Sequence, residues 1–338
     1  MVKLADNRKP VRHFPSPTHL DLSSNYEPTV SFLMGFRRAH QHSPEMGFYL
    51  DLRPLEKITP AAALLLVAEL QRWNILHRRK MQSRDVDQWN PTVRSLLRQM
   101  GFFELLNAEV PPDEDDLSKG IIFLPFHSGK DTDGAPIRKL RQMIEQRAGA
   151  LQGRARRLLF QGVSEAITNV VHHAYPKSRT REQRAAQYYW MSASIDMATG
   201  AIIVMVLDHG VGIPRSFPRK APAGMAKRMF MLQIAKFLSA RSMSRFDDDV
   251  GMIEAAIELG QTSTGFLNRG HGLTRDIKAL PIQIGGTAKL RIVSNRGVYI
   301  YTHSGDGTEN VRAENRRNSL DGTFIEWQFQ NPQMDLFQ

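Results

Sequence analysis

The sequence predicts an α/β chain, an α+β sandwich organised in two parts, and three observations predict it. At 338 residues the chain has length for two domains, at roughly 100–200 residues each. Short apolar runs bounded by turn residues alternate with helix-forming runs through the first 128 residues. Beyond them, two long helical stretches precede a strand hairpin and further strands. Hydrophobic residues make up 41% and charged residues 23%, the balance of a chain that folds around a core.

The elements follow in order. Residues 1–14 are polar and are expected to form a loose N-terminus. Phe48–Leu52 reads as a strand. Pro60 stands where a first helical turn tolerates proline, and Ala61–Trp73 is rich in helix formers. Thr59 is the hydroxyl placed to cap that helix. Asn90-Pro91 opens a second helix, with Val93, Leu96, Leu97 and Met100 at helical spacing and Gly101 as its stop. An acidic loop, Pro111–Asp116, leads to Gly120–Pro125, read as an edge or final strand because proline ends it. The boundary is expected at 129–135, with the first domain over 15–128 and the second over 136–330 before a tail at 331–338. In the second domain Ile137–Leu151 and Gly153–Ala174 read as helices. Tyr188–Ile195 and Ala201–Leu207 read as a hairpin turning at Thr199-Gly200. Helical and proline-bearing material fills 214–268, a short helix follows Leu273, and strands recur at Leu290–Val293, Val298–Tyr301 and Thr323–Phe329.

Composition removes several function classes. With no cysteine, disulfide scaffolds, thiolate zinc sites, iron–sulfur clusters and cysteine nucleophiles are out. The densest apolar run, Ala61–Val67, is far short of the ~18 residues of a membrane helix, and the N-terminus lacks the apolar core of a secretory signal. The expectation is a cytoplasmic chain with no membrane contact. Residues 1–130 carry 17 basic and 15 acidic side chains, and residues 131–338 carry 28 and 19, a net of +9 in the second part. That excess suits a polyanionic ligand, nucleic acid included, and equally an ordinary solvated basic surface.

Four patterns in the second part carry chemistry. Glu165 and Asn169, four apart on a helix, project from one face; an acid and an amide there suit water activation and a magnesium ion, or a plain polar face. Asp208-His209-Gly210-Val211-Gly212-Ile213-Pro214 follows the apolar run Ile202–Leu207. A carboxylate at the end of a buried strand needs hydrogen-bond donors, and the exocyclic amine of a purine is one; the same residues also make a simple turn. Arg269-Gly270-His271-Gly272-Leu273 places glycines before a helix, where backbone N–H groups suit phosphates. Asp321-Gly322-Thr323 opens the last strand.

In this order, with 39 positions from Asn169 to Asp208 and 62 from Asp208 to Gly270, the four patterns resemble the GHKL ATP-binding superfamily, the Bergerat-fold group of gyrase, the ninety-kilodalton heat-shock chaperones, histidine kinases and MutL. The resemblance spans about 135–330. It implies helices on one face of a mixed sheet, with ATP and Mg2+ as ligands. Glu165 would be the general base and Asn169 the magnesium ligand. Asp208 would take the adenine amine, with Gly210, Gly212 and Ile213 shaping the base pocket. Arg269, Gly270, His271, Gly272 and Leu273 would meet the phosphates, Thr323 would support the base, and 215–268 would form the ATP lid. The run Ser164–Tyr175 is most similar to the anti-sigma-factor serine kinase branch; His172 and His173, inside it, read as structural or pocket-edge residues. Over about 15–128, the strand–helix alternation and the Met-Gly-Phe-Phe-Glu-Leu-Leu ending (Met100–Leu106) resemble STAS domains of anti-sigma-factor antagonists. There the family's phosphoacceptor serine corresponds to Ile58–Ala61, where Thr59 is the sole hydroxyl and Pro60 its neighbour, which favours the cap reading.

Three functions are expected to compete. The first is a Mg-ATP-driven conformational switch toward a protein partner or a second copy of the chain. The second is a serine/threonine kinase acting on a separate STAS-type protein. The third is a nucleic-acid-associated ATPase.

Overall fold

A computed structural model of the chain describes residues 11–42, 47–78, 80–81, 83, 85–106, 108–109, 120–148, 153–176, 187–220, 224–241, 248–259 and 287–330. The chain divides into two compact units, Met1–Ser118 and Lys119–Gln338. No helix among the described residues is long and apolar enough to cross a membrane.

In the first unit, β1 (Val11–Pro15) runs parallel to β3 (Gly47–Asp51), so residues 11–14 are a paired strand and not part of a loose N-terminus, and β2 (His19–Leu20) runs parallel to β4 (Lys57–Ile58). Helix α1 spans Tyr26–His42. Helix α2 (Pro60–His77) starts as the sequence predicts: the Thr59 hydroxyl accepts the Ala62 N–H at 3.5 Å and Pro60 occupies the first turn. From Ala61 to Leu70 every residue of α2 is buried, so it is the central element of its unit. Its one carboxylate there, Glu69, takes a charge-assisted bond from Arg37 of α1, with Arg72 also close by. Helix α3 (Pro91–Met100) is capped by the Asn90 side chain, which accepts the Val93 N–H at 3.2 Å. It ends on Gly101, whose φ of 86° lies in the left-handed region open to glycine.

The second unit is built on one sheet of eight strands among the described residues: β5 (Ile121–Phe123), β6 (His127–Gly129), β7 (Tyr189–Asp196), β8 (Ala201–Asp208), β9 (Ala288–Ser294), β10 (Gly297–His303), β11 (Glu309–Asn315) and β12 (Thr323–Gln330). The order is β11-β10-β9-β12-β8-β7-β5, with β6 also on β7. Every described pairing in it is antiparallel, which corrects the expectation of a mixed sheet: the parallel pairs lie in the first unit. Gly120–Pro125, expected as an edge or final strand, does supply an edge strand, but of the second unit's sheet and not of the first domain. Ile121–Phe123 pairs with Ser194–Asp196 of β7, so the second unit begins about ten residues before the expected 129–135 boundary.

Helices α4 (Ala135–Ala148), α5 (Gly153–Asn169), α7 (Met225–Ala240) and α8 (Asp249–Leu259) share one core with alternate strand residues; α6 (Ile213–Ser216) is a single turn. Leu140 and Ile144, Val163 and Ile167, and Ile234 and Leu238 are helical neighbours four apart, and they share the core with Met191, Val204, Ile292 and Trp327 of the strands. The period of two along each strand puts the core residues on the helical face.

Candidate functional site

The apolar run Ile202–Leu207 drives β8 through the centre of the sheet, and the strand ends on a carboxylate. Asp208 is 4% exposed. Strand register sets its neighbours: Tyr189 of β7 lies opposite on one side and Thr323 of β12 on the other, and Thr323 in turn faces Ser294 of β9. One end of the sheet thus holds Asp208, Thr323 and Ser294 side by side. The Ser294 and Thr323 hydroxyl oxygens are 3.1 Å apart.

Three donors converge on the Asp208 carboxyl. Gly210 N–H donates to Oδ1 at 2.7 Å, and the backbone N–H and hydroxyl of Thr323 act in the same direction. Burial outweighs them and pushes the carboxyl up to about 7 from an ordinary 3.8. A carboxylate accepts up to about four hydrogen bonds, so its capacity exceeds these donors. A planar ligand amine would favour the ionised form.

The turn after Asp208 is clamped from three sides. Val211 N–H donates to the Ala174 carbonyl at 2.9 Å, the Asn295 side-chain amide donates to the Val211 carbonyl at 3.1 Å, and Ile213 N–H donates to Ser294 Oγ at 2.8 Å. Two glycines are required there. A Cβ on Gly210 would sit 2.5 Å from both the Cβ and the carbonyl oxygen of Ala174, and Gly212 has φ 79° with the Asn295 amide 2.6 Å from where its Cβ would stand. Gly322 meets the same condition opposite, since a Cβ there would strike the Asp208 carbonyl.

Glu165 and Asn169 do share a helix face. The Asn169 amide donates to Glu165 Oε1 at 3.1 Å and to the Glu165 carbonyl at 3.0 Å, and both residues are partly exposed. With its NH2 turned to Glu165, Asn169 Oδ1 is the atom that could meet a hard cation, which fits a magnesium ligand by donor chemistry. Among the described residues no cluster of three or more His, Asp or Glu forms a metal cage, so a cation held here would need further oxygens from a ligand such as a triphosphate. Directly after Asn169 the helix widens into a π turn, Val170–Ala174. Such turns insert one extra residue and are frequent at functional sites. This one carries Ala174 onto Gly210 and so joins the Glu165–Asn169 helix to the Asp208 turn. His172 and His173 are exposed on it. Tyr175 follows, its hydroxyl accepting from His209 N–H at 3.0 Å and donating to the Tyr188 carbonyl at 2.7 Å.

Asp208, Gly210, Gly212, Ile213 and Thr323 are therefore brought together, and the helix bearing Glu165 and Asn169 is joined to them at Ala174, five residues beyond Asn169. Arg269, Gly270, His271, Gly272 and Leu273 lie outside the described residues, as does the short helix expected after Leu273. Of the expected lid, 215–220, 224–241 and 248–259 are described and are largely helical. Sequence reading missed Ala174, Ser294 and Asn295. Only Asn295 left a signal, an Asn-Arg-Gly turn between two strands, and it has the φ of 52° that such a turn uses. No family model matches the chain, and no curated protein matches it.

Proposed function

We propose that the second unit binds Mg-ATP in the manner of GHKL domains and serves as a nucleotide-dependent conformational switch toward a protein partner. One observation carries the reading: a buried carboxylate at the end of a central strand, supplied with Gly210 and Thr323 donors and bordered by two glycines that must stay glycine. A purine amine completes that acceptor, and the glycines admit a flat base. Asp208 would fix the base, Thr323 would hold the carboxylate in place, and Asn169 Oδ1 would take the cation. Glu165 would accept the proton of a water or hydroxyl nucleophile. Bound Mg-ATP supplies the γ-phosphoryl group and the charge that orders a lid. An ATP-dependent role suits a cytoplasmic protein.

The STAS-like first part favours a second reading, a serine/threonine kinase in which Glu165 activates the acceptor hydroxyl of a separate STAS-type protein. Incubation of the full chain with γ-labelled ATP, alone and with such a protein, separates the two. Free phosphate alone means a switch ATPase, label on the protein means a kinase, and neither product with no nucleotide bound overturns both.

A further inference from the structure

From Asp208 to Asp247 the chain has no carboxylate: residues 209–246 contain eight Lys or Arg and no Asp or Glu. Almost the whole basic excess of the second part therefore sits in this one stretch, which holds α7. Phe230, Ile234 and Leu238 of α7 are buried in the core. On its outer side Met225, Met229 and Leu232 are 78%, 60% and 60% exposed. Single exposed apolar residues need no explanation, but these three stand in one row. Their steps of four and three are those of successive d, a and d positions in a heptad, the seam one helix offers to another. Arg228 is exposed beside the row, three residues after Met225, and Lys236 is exposed in line with it, four residues after Leu232; Lys227 is exposed on another side of the helix, and Arg215, Arg219 and Arg241 are exposed on the segments that flank it.

We infer that α7 is a docking helix for a partner protein, and that the partner contributes an amphipathic helix with an apolar seam flanked by Glu or Asp. Charge decides the occupant. A second copy of α7 would bring cations against cations, since Met225–Ala240 itself carries no carboxylate. Nucleic acid would use the cations and leave the Met-Met-Leu row exposed. A lipid surface is served by a broad apolar face lying free in the interface. Here the other side of the helix is committed to the core, and what remains is a single file of side chains, the width of one partner helix. Two methionines in the seam suit a surface that repacks around its partner. The inference concerns this surface alone and holds whether or not the Asp208 site takes a nucleotide.

The test uses the full chain without nucleotide and two labelled synthetic peptides of about three heptads, both with Leu at a and d, one with Glu and the other with Lys at e and g. The Glu peptide should bind at least ~10-fold more tightly than its Lys twin. Met229→Gln with Leu232→Gln should cost the Glu peptide ~10-fold or more, and Arg228→Glu with Lys236→Glu should reverse the preference. All four side chains are exposed, so melting curves should match the wild type. Equal affinity for the two peptides, no binding of either, or indifference to both double substitutions overturns the proposal. So does tighter binding of phosphatidylglycerol–phosphatidylcholine vesicles or of a short DNA duplex than of the Glu peptide.

Discussion

Asp208→Asn is the substitution whose two effects should run in opposite directions. Holding a carboxyl at about 7 in the fold against 3.8 in the unfolded chain is worth roughly 4 kcal/mol at 1.36 kcal/mol per tenfold. The direction follows from proton binding. Between pH 3.8 and about 7 the folded chain holds the Asp208 proton and the unfolded chain has released it, so stability falls as pH rises through this window. Above pH 7 the full cost of the buried charge is present. Asn keeps a carbonyl for the Gly210 N–H but has no charge to bury, and it gives up charge-assisted strength toward Gly210 and Thr323. The net expectation is a gain of roughly 1–3 kcal/mol for the ligand-free variant at pH 8, shrinking toward pH 5. For a domain of this size that is about 2–4 °C in melting temperature per kcal/mol. Nucleotide affinity should move the other way, by a loss of roughly 2–4 kcal/mol, because the base amine loses a charged acceptor. The assay is urea unfolding from pH 5 to pH 8 alongside calorimetric titration with Mg-ATP on the same samples. A stability difference that is flat across this range, or an unchanged ATP affinity in a folded variant, refutes the reasoning.

Three further substitutions address separate parts of the account. Glu165→Gln should lower phosphate release by ~10²–10⁴-fold with little change in nucleotide affinity, read by steady-state release and titration together. Gly210→Ala should destabilise the second unit by about 1–3 kcal/mol, since its Cβ would meet Ala174 at 2.5 Å, and should weaken nucleotide binding by shifting the Asp208 turn; thermal melts and titration check both. In the sheet, Arg291 Nε donates to Glu326 at 3.1 Å and both are buried. Arg291→Met alone should cost roughly 3–5 kcal/mol in urea unfolding by stranding Glu326, and adding Glu326→Leu should recover most of it.

How much the sequence disclosed depended on how local each feature was. Asp208 was legible because a carboxylate closing an apolar run is costly wherever the strand lies, and Thr59, Asn90 and Gly101 because caps act within a few residues. The Glu165–Asn169 pairing was legible because four residues make a helical turn. Features set by distant pairing were not legible. Ile121–Phe123 belongs to the second unit through Ser194–Asp196, some seventy positions on, and no pattern around Pro125 records it. The antiparallel course of the sheet and the places of Ser294 and Asn295 beside Thr323 and Val211 are likewise fixed by register. The π turn at Val170–Ala174 was read as continuous α-helix because one inserted residue hardly alters the apolar spacing. It is the closeness of Ala174 to Gly210 that shows its use.

The central claim is that Asp208 selects an adenine base, and titration of the full chain with Mg-ATP and then Mg-GTP tests it most directly. An acceptor-only carboxylate pairs with the adenine amine, whereas guanine presents a carbonyl oxygen at the corresponding position. The account predicts saturable ATP binding with at least ~10²-fold preference over GTP, lost in Asp208→Asn. Equal affinity for the two nucleotides, or no binding of either, would contradict it.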